Sequence, residues 1–222
     1  MTRFVLATVV ASTLASAASA SFTGFTVNRA ITAAGNTQYK VYANFNAANL
    51  VFLNAFSWQN AAGSAALNAR HQDAAEDLDG NPSQSWSASV NLLGSIARDN
   101  DSWVSASGSG TSAGADASLD PGFNPSNGSN IPNGAGWFDA TPGTPNLIEA
   151  GGTNGGYRML IMQVCRTGDD SGYFSNHALQ VSFKVDGTST ALFGSGAFTV
   201  GIPAPGAVAL LGLAGLTGRR RR

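Results

Sequence analysis

Apolar and polar residues alternate with a period of two along several stretches of the chain. Tyr39, Val41, Ala43 and Phe45 recur at every second position. Leu179, Val181, Phe183 and Val185 do the same, with Gln180, Ser182 and Lys184 between them. That period is the pleat of a half-buried strand. Leu50 to Trp58 forms another run, with Leu50, Phe52, Phe56 and Trp58 expected on one side. The short break Asn46-Ala47-Ala48-Asn49 before it predicts a hairpin. Phe22, Phe25 and Val27 begin an earlier strand, which ends before the turn signal Gly35-Asn36. Later strands are predicted over Ser85–Val90, Trp103–Val104, Tyr157–Cys165, Ala191–Phe193 and Ala197–Val200.

Two stretches break the pattern. Ala61 to Asp79 carries Ala and Leu at spacings that suit a short helix, weakened by Gly63 and by its polar residues. Ser105 to Gly156 is dense in Gly, Ser, Asn and Pro and reads as a long loop. Leu119, Phe123, Ile131, Trp137, Phe138, Leu147 and Ile148 punctuate it and are expected to pin it to the domain. The fold expected is mainly β: a single β-sandwich, jelly-roll-like, with a long Gly/Ser/Asn-rich loop region.

The ends of the chain carry a different kind of information. Met1-Thr2-Arg3 is a short basic start, Phe4 to Leu14 is apolar, and Ala18-Ser19-Ala20 offers small residues at the spacing signal peptidase accepts. A signal helix over residues 1–20 is expected, cut after Ala20 to leave Ser21 first. At the other end Pro203-Ala204-Pro205 precedes an apolar run of about a dozen residues, short of the ~20 that span a bilayer. Arg219, Arg220, Arg221 and Arg222 follow and would be held at the cytoplasmic interface. Pro motif, short hydrophobic helix and terminal Arg cluster, in that order over residues 202–222, resemble the PEP-CTERM sorting signal. Its usual Pro-Glu-Pro is here the Pro-Ala-Pro variant of planctomycete-like proteins. The resemblance implies recognition in the inner membrane by an exosortase and cutting near the Pro motif; a plain C-terminal membrane anchor is the alternative. The blocks Asp101–Val104, Ser118–Phe123 and Gly134–Phe138 also resemble uncharacterised exported proteins with such tails, which implies no activity. Three segments follow: 1–20 signal peptide, 21–200 exported domain, 201–222 sorting tail.

Charge changes meaning once those ends are set apart. Five of the twelve basic residues lie in them, leaving seven against thirteen acids, a net charge of −6 for the domain. Nucleic-acid binding needs clustered cations and is excluded as an expectation. The lone Cys165 forbids an intramolecular disulfide and lies in an apolar run, where a buried thiol weighs against a catalytic one.

Candidate chemistry is thin. Gly110-Thr111-Ser112-Ala113-Gly114 matches the nucleophile-elbow pattern, with Asp120 or Asp139 and His177 as paper partners. It lacks the strand-to-helix setting the motif needs. The acidic turns Asp77-x-Asp79 and Asp99-x-Asp101 suit calcium in ligand type, against the reading that they are ordinary turn formers. Trp103 and Trp137 are candidates for a sugar-stacking platform, against the reading that they anchor the loop. No cofactor is expected beyond that calcium option. The function expected is a non-enzymatic cell-surface or extracellular-matrix protein, handled by signal peptidase and an exosortase-type enzyme; the alternative is a carbohydrate-binding module for matrix polysaccharide. A hydrolase built on Ser112 ranks last.

Overall fold

The computed structural model describes residues 20–71, 86, 99–106, 117–123, 129–139, 148–152, 155–168, 170 and 173–201. The predicted signal and C-terminal helices lie outside them, as do Ser112 and, Trp86 apart, the strand expected over Ser85–Val90. The described chain is mainly β, in two antiparallel five-stranded sheets. Its strands are β1 (Phe22–Ile31), β2 (Thr37–Phe45), β3 (Leu50–Asn60), β4 (Trp103–Val104) and β5 (Ala117–Leu119). They continue with β6 (Trp137–Asp139), β7 (Glu149–Ala150), β8 (Tyr157–Arg166), β9 (Phe174–Val185) and β10 (Ala191–Gly201).

The first sheet runs β1-β2-β8-β4, with β7 also paired to β8; the second runs β10-β9-β3-β6-β5. Their inner faces share one core. Tyr39, Val41, Ala43 and Phe45 of β2 and Ile161 of β8 meet Leu50, Phe52, Leu179, Val181, Phe183 and Val200 of the second sheet. Edge-on aromatic pairs bridge the layers, with Phe45 and Phe183 centroids 5.0 Å apart and Phe25 and Phe198 5.2 Å apart. The arrangement is β-sandwich-like. Among the described strands the order departs from a jelly roll, in which the first and last strands pair: β1 pairs β2, β10 pairs β9, and the two hairpins sit in different sheets.

The expected β2–β3 hairpin does not form. β2 pairs with β1 and β8, whereas β3 pairs with β9 and β6, so the link Asn46–Asn49 crosses from one sheet to the other. A period of two tells which residues share a face and says nothing about the partner strand. Four extended residues reach about 13 Å, enough for the ~10 Å between packed sheets. The β8–β9 connection makes the same crossing, and because β2 pairs β8 and β3 pairs β9, the two crossings lace the layers together.

β3 corrects a second expectation. Its register slips between Phe52 and Asn54 and again between Phe56 and Gln59, where Ser57 sits at φ 55°. Each bulge inserts a residue and shifts the inward set. Leu50, Phe52, Ala55 and Trp58 face the core, and Phe56 is turned to the outer side.

The loop-like region contributes strands to both sheets. β5 pairs β6 on the margin of the second sheet, and β7 joins the first. Phe123, Ile131, Trp137 and Ile148 are buried as expected, but Phe138 is exposed. Residues 61–71 are not helical. They turn at Ala62-Gly63 and then run irregularly, Asn68 at φ 47°, tied to their neighbours by Ala69 N–H on Ser129 O at 2.8 Å and Arg70 N–H on Cys165 O at 2.7 Å. The remainder of that predicted helix is outside the described residues.

β1 sits close over β10 because β10 presents glycine there. A side chain at Gly194 would run into the Phe22 ring, and one at Gly196 would press on Phe25 at 3.2 Å.

Candidate functional site

The residues singled out from the sequence fall mostly inside the molecule. Trp103 is 5% exposed and packs with Tyr42 and Leu160 in a small cluster on the outer side of the first sheet. Trp137 is 1% exposed, donates from Nε1 to Ser105 O at 3.0 Å, and stacks edge-on with Phe123. Phe123 leads on to Trp86, and Trp86 to His71. Neither indole offers a face to a sugar. Both hold loop segments against the strands, which is the other reading weighed for them.

Asp101 lies at the end of the molecule where the β1–β2 turn, residues 70–71 and β8 converge. Its carboxylate is buried, accepts from Ser102 N–H at 2.8 Å and stands 3.5 Å from His71 Nδ1. Asp99, on the other side of the buried Asn100, is exposed, whereas Asp101 is buried. Asn100 Oδ1 instead accepts from Thr32 Oγ1 at 2.6 Å and Asn36 Nδ2 at 2.9 Å. The chain here follows a hydrogen-bonding logic for buried polar groups. Among the described residues no three of His, Cys, Asp and Glu are placed to hold a metal ion. Asp77 and Asp79 lie outside the described residues.

Ser102 stands beside Asp101 and near His71 and superficially completes a triad. Its geometry is that of a structural bridge. The hydroxyl donates to Arg70 O at 2.6 Å and accepts from Cys165 N–H at 2.8 Å, and the residue has no exposure. A hydroxyl whose single proton is already given to a backbone carbonyl is poorly placed to attack a substrate. Cys165 is equally enclosed, and burial pushes its thiol up to about 12. An inert core thiol fits that environment.

Two of the paper partners of Ser112, Asp120 and His177, are committed elsewhere. Asp120 Oδ1 accepts from Gly122 N–H at 2.9 Å and Phe123 N–H at 3.2 Å, closing the Asp-Pro-Gly turn. His177 is buried against Trp58, ring centroids 4.6 Å apart. Asn60 Oδ1 accepts from Trp58 Nε1 at 3.0 Å and lies 3.0 Å from His177 Nδ1. An amide oxygen only accepts, so the imidazole carries its proton on Nδ1 and leaves Nε2 bare. Burial pushes its pKa down to about 4.

Two open surfaces stand out among the described residues. One is a cleft of about 590 Å³ between the starts of β1 and β8 and the end of β2, lined by Thr23, Thr26, Asn44, Asn46, Gly156 and Tyr157. Among the described residues no carboxylate, imidazole or cation lines it, and Asn44 Nδ2 is engaged with Gly24 O at 3.2 Å.

The other is the outer face of the second sheet. Register places Phe193, Ser182, Asn54, Phe138 and Ser118 in one row across β10, β9, β3, β6 and β5. Phe193 is 69% exposed and Phe138 40%. Phe56, paired beside Gln180, brings its ring to 6.3 Å from that of Phe193, edge to face. Ser182 Oγ donates to Asn54 Oδ1 at 2.6 Å.

Sequence reasoning placed Phe56 with the inward residues and Phe138 among those pinning the loop, and gave Phe193 no role, although parity pointed outward for two of them. Phe193 has the opposite parity to the inward Phe198 and Val200 in β10, and Phe138 follows the inward Trp137 directly. Comparison with protein-family models, with curated proteins and with solved structures returned no match.

Proposed function

We propose that the chain is a non-enzymatic exported protein of the cell surface or extracellular matrix, built as one β-sandwich between a signal peptide and a PEP-CTERM-like sorting tail. The observation that carries this reading is where the first and last described strands lie. β1 begins at Phe22 and β10 ends at Gly201, one residue after the predicted signal-peptidase product begins and two before Pro203. Ser21, the residue that would become first, is tied down on both sides, its N–H donating to Asn46 Oδ1 at 2.7 Å and its carbonyl accepting from Asn46 N–H at 3.2 Å. Removal of residues 1–20 and of the tail would therefore leave every described strand whole.

In this reading signal peptidase cuts after Ala20. The tail holds the protein briefly in the inner membrane, its arginines on the cytoplasmic side, until an exosortase-type enzyme cuts near Pro203-Ala204-Pro205. The buried, engaged state of Ser102 and Cys165 supports a binding or structural role over catalysis. Mass spectrometry of the surface fraction tests the proposal. A mature chain beginning at Ser21 and lacking residues 219–222 is expected. An intact Met1 in a cytoplasmic fraction overturns it.

A further inference from the structure

We propose that the outer face of the second sheet binds a neutral polysaccharide, with sugar rings stacking on Phe193 and Phe138 and hydroxyls bonding to the exposed Gln180 and Ser195 beside them and to the amide nitrogen of Asn54. This goes beyond the reading of an exported surface protein and is measured separately from it, since binding is assayed whether or not the chain is exported.

The row set by register has exposed phenyl rings toward either side, with the half-buried Asn54 and the buried Ser182 between, the Ser182 hydroxyl given to Asn54 Oδ1. Three strand spacings separate β10 from β6, so the two aromatic positions lie about 14 Å apart. That leaves room for a short run of sugar units between the rings. A second row adds Ser195, Gln180 and Phe56, and here Ser195 and Gln180 are exposed. Ala197 and Ser195 keep β10 low around Phe193, so an extended chain can lie flat on the strands.

The chemistry of the face chooses among occupants. Sugar rings present weakly positive C–H edges that suit the negative face of a phenyl ring, and their hydroxyls suit amide and hydroxyl partners. Lys184 is the charged residue in the outward set of β9, at the end of that strand. Single-stranded nucleic acid also stacks on aromatics, but it requires a cationic groove to track its phosphates. An anionic lipid surface requires basic residues in the same way. A second copy of the chain would need an interface of about 800 Å² per partner with a centre more apolar than the rest of the surface. Here Ser182, Asn54 and Gln180 separate the rings. A neutral, hydroxyl-rich polymer is the partner these groups fit together.

Affinity gel electrophoresis and pull-down of the full chain test this, using microcrystalline cellulose, chitin and a soluble neutral β-glucan as probes. Retention on at least one of the three is expected, unchanged in high salt and in Lys184→Ala. The double variant Phe138→Ala/Phe193→Ala should lose about tenfold in affinity, as two stacking contacts of ordinary strength require. Its denaturation midpoint, measured alongside, must match the parent so that lost binding is not lost folding. No retention on any of the three probes overturns the proposal. So does retention that survives the double variant or that disappears in salt. Self-association by sedimentation that Phe193→Ser abolishes would assign the face to a second copy and equally overturn it.

Discussion

The two sheets treat their outer faces in opposite ways. β2 and β8 are buried along almost their whole length, on both faces, whereas β10 alternates exposed and half-buried over its first seven residues. The first sheet is roofed by Trp103 with Tyr42 and Leu160, and by the polar bridge of Ser102, Asp101 and Gln163. The described part of the second sheet carries Phe193, Phe56 and Phe138 facing outward. Large aromatics thus occupy both outer faces with opposite consequences: those on the first are buried as structure, whereas Phe193 and Phe138 on the second are exposed.

Truncation on the roofed side should be the most damaging. Trp103→Ala removes a buried indole and is expected to destabilise the domain by about 3–5 kcal/mol, read as a shift in denaturant midpoint at constant m-value. A loss below ~1 kcal/mol would break the comparison, because it would mean that Trp103 sits on a free surface.

Between the sheets, His177 should make stability depend on pH. Its folded pKa of about 4 lies below the ordinary 6.5, so the unfolded chain binds the proton more readily. The contribution is complete above pH 6.5 and is lost as pH falls toward 4, roughly 3 kcal/mol in all at about 1.4 kcal/mol per pKa unit. Urea midpoints across that window should fall more steeply in the parent than in His177→Gln, which keeps a donor for Asn60 Oδ1. Parallel curves would show that the imidazole is not held neutral. Exposed phenylalanines contribute nothing to this slope, which separates inner layer from outer face.

How much of this was legible beforehand follows from what a period of two encodes. Alternation located β2 and β9, and apolar clustering located β1, β3, β8 and β10, because burial of one face is written in the residues themselves. Pairing is not written there, and the Asn46–Asn49 link looked like a hairpin while bridging two layers. Bulges are equally silent: nothing local marked Leu50–Trp58 as a strand whose inward set would pass from Phe52 to Ala55. The tryptophans drew attention as large aromatics, yet the same size favours their burial once a pocket is available. The outer-face row was beyond reach for a further reason. It needs β10, β9, β3, β6 and β5 in register, and that order depends on contacts far apart in sequence.

The closeness of β1 and β10 gives a mid-sized test. Gly194→Ala places a methyl group against Phe22, which is itself packed edge-on with Phe25 and Phe45. Overpacking of this kind should lower stability by about 1–3 kcal/mol. A neutral or stabilising result would mean that the two strands stand further apart than their packing implies.

Phe193→Ser should have the smallest effect on stability and is the most telling for the comparison. The ring is 69% exposed and among the described residues has one aromatic neighbour, Phe56, at an edge-to-face distance of 6.3 Å. Removing it forfeits a single weak pair and little buried area, so the denaturation midpoint should move by no more than about 0.5 kcal/mol. Serine suits the site because Ser195, two residues along β10, already points outward on the same face. A near-zero change would show that this phenylalanine is dispensable to the fold, leaving binding as the reason for an apolar ring in water. A loss of 2 kcal/mol or more, on the order of a buried side chain, would show that the second sheet is roofed like the first.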